Sequence, residues 1–166
     1  MKQKILVSRC LLGHLVRYDG GASGPYEQLS RWQDEGRVVP LCPEVAGGLP
    51  TPRAAAEIPG GQGTQVLEGL ARVITREGED VSEAFLSGAR QALELVRRHD
   101  IRIAVLKANS PSCGNRLTYD GTFSGVKVRG EGVTAALLRQ AGVQVFSELE
   151  LPEALIALQF LDIPAL

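Results

Sequence analysis

Leu95-Val96-Arg97-Arg98-His99-Asp100-Ile101-Arg102-Ile103-Ala104-Val105-Leu106 decides the fold, because two hydrophobic periods meet inside it. Upstream, from Val81 to His99, apolar residues return with a helical period. Ala84, Phe85, Gly88, Ala89, Ala92, Leu95 and Val96 fall near one face. His99 closes that pattern, where a helix C-terminus favours a cation. Downstream, Ile101 to Leu106 is a short apolar run of the kind that forms a strand buried on both faces. An amphipathic helix that feeds a buried strand is the repeating unit of a parallel sheet.

The same alternation extends in both directions. Further strand-like runs cover Ile5 to Val7, Val38 to Leu41, Arg72 to Thr75 and Val143 to Phe146. Helical patterns cover Val133 to Gln140, ended by Gly142, and Pro152 to Phe160, with Pro152 suited to a first helical position. Leu29 to Trp32 reads as a short helix. Pro59-Gly60-Gly61-Gln62-Gly63 reads as an exposed loop. The expectation is an α/β fold: one domain over residues 1–166, with a mainly parallel, Rossmann-like sheet and helices on both faces.

Composition narrows the function. The 166 residues carry a formal net charge of -1, so no basic field invites nucleic acid. Hydrophobic residues make up 44%, enough for a core without disulfides. Met1-Lys2-Gln3-Lys4 is followed by only three apolar residues, unlike a secretory leader, and no apolar run approaches membrane-spanning length. A cytoplasmic location is expected, where thiols stay reduced. The chain has three cysteines, so each is a small buried hydrophobe, a nucleophile or a metal ligand.

Their placement favours a shared site. Cys10 follows the first strand run, Cys42 directly follows Val38-Val39-Pro40-Leu41, and Cys113 follows the Ile101 to Leu106 run by a short loop. In an open parallel sheet the loops after strand C-termini gather at one edge, where ligands bind. Three thiolates without a fourth suit a metal centre with one open position, and thiolate softness selects iron–sulfur clusters or zinc. Three core cysteines remain the plainer alternative.

The neighbourhoods add polar groups. Ser110-Pro111-Ser112-Cys113-Gly114-Asn115 is polar and turn-like, and its hydroxyls are able to reach a cluster sulfur or a substrate carbonyl. In Cys42-Pro43-Glu44 a carboxylate stands two residues from a thiolate. In an apolar cleft its pKa would rise, which suits proton transfer; otherwise it pairs with Arg53. Arg53 itself binds an anion or fixes its proline-stiffened loop. Tyr18 is suited to stacking on a base, or belongs to an ordinary turn with Arg17 and Asp19. Lys107 ends a strand, facing the same crevice or reaching to water.

At these residues the chain resembles the thiouracil desulfidase family, long catalogued as a domain of unknown function. The matching motifs are Ser8-Arg9-Cys10-Leu11-Leu12-Gly13, Arg17-Tyr18-Asp19-Gly20, Cys42-Pro43-Glu44-Val45 with Gly47-Gly48, and Pro52-Arg53 with Glu57. To these are added Leu106-Lys107, Ser110-Pro111-Ser112-Cys113-Gly114, Tyr119-Asp120-Gly121-Thr122-Phe123 and Gly132-Val133-Thr134-Ala135. They span most of the chain up to residue 140. Arg9 departs from the pattern, which has a small residue there.

The resemblance implies an oxygen-sensitive [4Fe–4S] cluster on Cys10, Cys42 and Cys113, with one iron free for substrate sulfur. It implies Glu44 and Ser110 as catalytic groups that handle protons or orient substrate, and a non-redox conversion of a thiouracil to uracil and sulfide. Ser112, Tyr18, Arg53 and Lys107 are the candidate substrate contacts. The partner is then a small thiolated pyrimidine, with no nucleic acid and no membrane. Rival readings are a zinc hydrolase or deaminase with a three-cysteine site, a non-enzymatic iron–sulfur or sulfur-carrier protein, and a domain acting on thiolated RNA.

Overall fold

The computed structural model describes residues 2–163. The chain runs through β1 (Ile5–Ser8), a 3-10 turn over Arg9–Leu12, α1 (Glu27–Asp34), β2 (Val38–Leu41) and α2 (Pro43–Ala46). It continues through β3 (Ala56–Glu57), α3 (Gly63–Leu67), β4 (Ile74–Thr75), α4 (Ser82–His99) and β5 (Ile103–Leu106). The last part holds β6 (Leu117–Tyr119), β7 (Lys127–Arg129), α5 (Val133–Gln140), β8 (Gln144–Ser147), a 3-10 turn over Glu148–Glu150 and α6 (Leu151–Asp162).

Four strands form one parallel sheet in the order β2-β1-β5-β8. Ile5 stands opposite both Val38 and Ile103, and Ile103 opposite Gln144. Side chains alternate across a strand, so each face receives every second residue. Ile5, Val7, Ile103 and Val105 pack with Leu29 and Trp32 of α1 and with Ala154 and Leu158 of α6. Leu6, Ala104 and Leu106 pack on the opposite face with Ala92 and Val96 of α4 and Ala135 and Leu138 of α5. All four residues of β1 and of β5 are buried, as befits strands covered on both sides. Helices thus cover both faces of a parallel sheet, the expected α/β architecture.

Three features differ from the sequence reading. Arg72 to Thr75 does not join the sheet. Only Ile74 and Thr75 are extended, and they pair antiparallel with Ala56 and Glu57 in a separate two-stranded ribbon. The turn at Glu77-Gly78 reverses the chain at once: Thr75 N–H donates to the Glu79 carbonyl, and Gly78 adopts φ 88°. A second ribbon, β6 with β7, occupies a stretch without a clear strand pattern. The loop read at 59–63 ends inside α3, where Gly63 is buried; a Cβ there would run into the backbone of Gly132 and Val133. A third apolar cluster, with Ile58, Val66, Val73, Phe85 and Val133, seats this segment on the main body.

Candidate active site

The three cysteines sit at the C-terminal edge of the sheet. Cys10 lies on the 3-10 turn that follows β1, Cys42 is the residue between β2 and α2, and Cys113 lies in the loop after β5. All three line one cavity of about 330 Å³, together with Glu44, Ser110, Tyr18, Arg53 and Lys107. They are free thiols.

Backbone contacts hold two of the cysteine segments. α2 packs on α4 with no side chain between them at two points. A Cβ at Gly47 would strike the Ala84 carbonyl, and one at Gly88 would strike the Pro43 carbonyl. That close approach fixes Cys42-Pro43-Glu44 against the longest helix of the fold. The Cys113 loop is tied to the start of α5 instead. The N–H groups of Val133 and Thr134 donate to the carbonyls of Pro111 and Ser112, and Gly132 N–H donates to Gly114 O at 2.7 Å. The first-turn donors that a helix leaves unpaired are therefore satisfied by the cysteine loop itself. A Cβ at Gly132 would collide with the Ser112 backbone, so glycine is required by proximity there.

Polar groups surround the thiols. Ser8 Oγ donates to Cys113 Sγ at 3.6 Å and accepts the Lys107 N–H at 3.0 Å, linking β1 to β5 at the floor of the cleft. Ser110 Oγ accepts the N–H groups of Ser112 and Cys113, each at 3.0 Å. With its oxygen so occupied, the hydroxyl hydrogen is left to donate. Glu44 Oε1 accepts from Arg53 Nε at 3.0 Å. Burial pushes the Glu44 carboxyl up, against the pull of the Arg53 guanidinium, and burial is the larger influence. Burial also raises the Cys10 thiol to about 11, with the neighbouring Cys42 adding to the rise and Lys107 and Arg17 opposing it. Cys113 is pushed up further by burial, Cys42 and Cys10 adding to the rise while the bond from Ser8 lowers it.

The candidate substrate contacts divide. Tyr18 is exposed at the rim, and Lys107 borders the cavity with its Nζ 2.8 Å from Glu148 Oε2. Arg53 borders the cavity too, but its guanidinium also donates to the carbonyls of Pro50 and Val16 and to Thr51 Oγ1. It fixes its loop and Glu44. Ser112 is not brought to the cleft. It is 0% exposed, and its hydroxyl bonds to Thr134 Oγ1 at 2.9 Å behind the lining. The polar, turn-like stretch 110–115 is therefore core-like at Ser112, Cys113 and Gly114, all buried. Arg9 borders the cleft and donates from Nε to His14 Nδ1 at 3.0 Å.

Ser8, Glu57 and Glu148 were not singled out for a role by sequence reasoning. Glu148 follows β8, is nearly buried, pairs with Lys107 and accepts the Ala108 N–H at 2.7 Å. A carboxylate two residues after the Val143 to Phe146 run is its sequence signal.

Comparison with known proteins decides the family. A family model described as 2-thiouracil desulfurase matches residues 5–150. The chain belongs to the 2-thiouracil desulfurase family. Within reach of that family, YbbK of Bacillus subtilis is 48% identical over 151 residues, covering 91% of this chain and 99% of that protein. A solved structure described as the [4Fe-4S]-dependent thiouracil desulfidase TudS is 49% identical, covers 96% of this chain and 99% of that one, and superposes with a TM-score of 0.88.

The donor set of this desulfurase-family chain fits an iron–sulfur cluster better than a single ion. Among the described residues, no three His, Cys, Asp or Glu groups converge on one ion-sized point. A lone zinc needs its ligands within about 2.3 Å of one nucleus. In a cluster each thiolate binds a different iron, so the sulfurs must stand apart around a shared cavity. Neutral, buried thiols such as Cys10 ionise only when a positive centre compensates them, and a cluster supplies that compensation.

Proposed function

We propose that this chain converts a thiolated pyrimidine of the thiouracil type to uracil with release of sulfide, and that Cys10, Cys42 and Cys113 hold the [4Fe–4S] cluster it uses. The observation that carries this reading is the convergence of three thiols, the half-buried Glu44 carboxyl and the Ser110 hydroxyl on one cavity. Such a cluster supplies a soft, Lewis-acidic iron for substrate sulfur.

The chain's own residues handle the rest. The net change adds water to the C–S carbon and expels hydrogen sulfide, with no change of oxidation state. A carboxyl whose pKa is raised by burial is a stronger base than an ordinary carboxylate, suited to take a proton from the attacking water and return it later. Arg53 orients Glu44 through the 3.0 Å bond and keeps it from turning away. The Ser110 hydroxyl donates to a ring carbonyl or nitrogen, because its oxygen already serves two N–H groups. Tyr18 and Lys107 meet the substrate at the rim, while Ser112 acts only by shaping its loop. The substrate in this reading is a small base or nucleoside in the reducing cytoplasm, since the charge of -1 offers no nucleic-acid surface.

The experiment is anaerobic purification and reconstitution, followed by iron and acid-labile sulfide analysis and by chromatography of thiouracil incubations. Iron and sulfide bound in equal amounts, with uracil formed, is the expected result. Zinc in place of iron, or a loaded cluster with no uracil formed, overturns it.

A further inference from the structure

The cleft has a second wall, built from the two short ribbons and the turns beside them. It contributes Ala55, Ala56, Tyr119, Phe123 and Arg76 to the lining. We propose that Phe123, paired with Arg76, is the platform on which the pyrimidine ring stacks, and that Glu57 is the positioning residue that holds it there. This proposal rests on the desulfidase reading of the site.

Three observations carry it. Phe123 is a non-glycine residue at φ 57°, in the left-handed region that a residue with a β-carbon avoids unless its surroundings impose it. The imposing group is Glu57. This carboxylate is 8% exposed, and it accepts the Gly121 N–H at 2.9 Å and the Phe123 N–H at 3.2 Å. Gly121 adds a steric lock, because a Cβ there would strike Pro59. A buried acid thus holds an unfavourable backbone in place so that an aromatic ring borders the cavity. Finally, the Arg76 guanidinium lies 5.3 Å from the centroid of the Phe123 ring. Arg76 borders the cavity beside that ring, so its charge serves both the ring and the cleft. Aromatic faces and guanidinium planes are the surfaces on which flat bases stack.

The test uses the anaerobically reconstituted, cluster-loaded enzyme with thiouracil as substrate and uracil as a binding probe. Phe123→Leu is expected to raise KM by about tenfold, the lower part of the range for one base stacked on an aromatic residue. Its kcat should stay within about twofold, because stacking of this kind is made in both ground and transition states. Uracil affinity, read by equilibrium dialysis, should fall in parallel. Phe123→Tyr should restore both. Glu57→Ala should reproduce the Phe123→Leu pattern, and Glu57→Gln, which keeps an acceptor oxygen, should not. Unchanged KM and uracil affinity in Phe123→Leu overturns the proposal, as does a loss confined to kcat. Phe123 lies outside the apolar core clusters, so the Phe123 variants keep the fold, and the contrast between Glu57→Ala and Glu57→Gln separates positioning from a general loss of structure. Absence of turnover in the wild type would sink the desulfidase reading alone, since uracil binding needs no turnover and still decides whether Phe123 stacks.

Discussion

The two walls of the cleft are made by different means. The wall that carries the thiols hangs from the C-terminal ends of β1, β2 and β5, and is pinned by backbone contacts at Gly47, Gly88 and Gly132. The facing wall consists of ribbons with strands of only two or three residues, held by single side chains such as Glu57. Sites that must keep several ligands in register gain from regular elements, because their rotamers and backbone are fixed by packing. Sites that contact a variable part of a substrate are commonly carried on loops. The division suggests chemistry on one side and recognition on the other.

The sharpest test of that division is Glu44→Gln. Turnover should fall on the order of 10²- to 10⁴-fold, since an amide cannot take a proton, while iron content and visible absorption stay near wild type. If the iron is lost instead, the carboxylate belongs to the structure of the thiol wall and not to its chemistry. Next in size is Gly132→Ala. The added Cβ has no room beside the Ser112 backbone, so overpacking of roughly 2 kcal/mol is expected, with weaker iron retention because the Cys113 loop must shift. Chemical denaturation and iron release rates measure the two effects.

Much of the thiol wall was legible in the sequence. The runs at Ile5 to Val7 and Ile101 to Leu106 are nearly all apolar, and such runs become strands covered on both faces wherever helices flank them. Once those strands are parallel, Cys10, Cys42 and Cys113 fall at one edge by topology alone. The ribbon wall was not legible. A two-residue strand is shorter than any window over which alternation is detectable, so β3 leaves no periodic trace and the run holding β4 reads as a longer strand of the main sheet. Ser112 failed for another reason. Its sequence neighbours are polar, and only tertiary packing of α5 turns its hydroxyl toward Thr134 and away from the cleft. Glu57 and Glu148 are ordinary acids in the sequence; their burial comes from backbone N–H groups distant in the chain.

The ribbon wall also holds a correctable defect. Thr118 Oγ1 is buried with no hydrogen-bond partner among the described residues. Thr118→Val removes an unsatisfied polar atom at nearly constant shape and is expected to stabilise the fold by about 1 kcal/mol, with turnover unchanged. A gain in denaturation midpoint with altered KM would mean that this wall is tuned more tightly than the comparison allows.

The smallest effect is expected at the far end of the sheet. Arg37 donates to Asp162 Oδ2 at 2.8 Å, tying the start of β2 to the end of α6. That bond holds the Asp162 carboxyl below its ordinary value of 3.8. A carboxylate with a lowered folded-state pKa stabilises the protein above its unfolded value, and that contribution is lost as pH falls through the folded one. Asp162→Asn should therefore cost about 0.5 kcal/mol at neutral pH, reduced by solvent screening, and flatten the stability curve below about pH 4. Thermal melts across that range, with activity unaffected at neutral pH, would separate this closure from both walls of the cleft.

The bond from Gly132 N–H to the Gly114 carbonyl closes a loop. It brings together the two ends of the excursion 115–131, which includes the second ribbon and Phe123, so that stretch leaves the protein and returns through a single gate. Closing a longer excursion costs little more than closing a short one, because the entropy grows only with the logarithm of length. A change of length between the gateposts, outside the Tyr119 to Phe123 motif, therefore costs the fold little and leaves Cys113 in place.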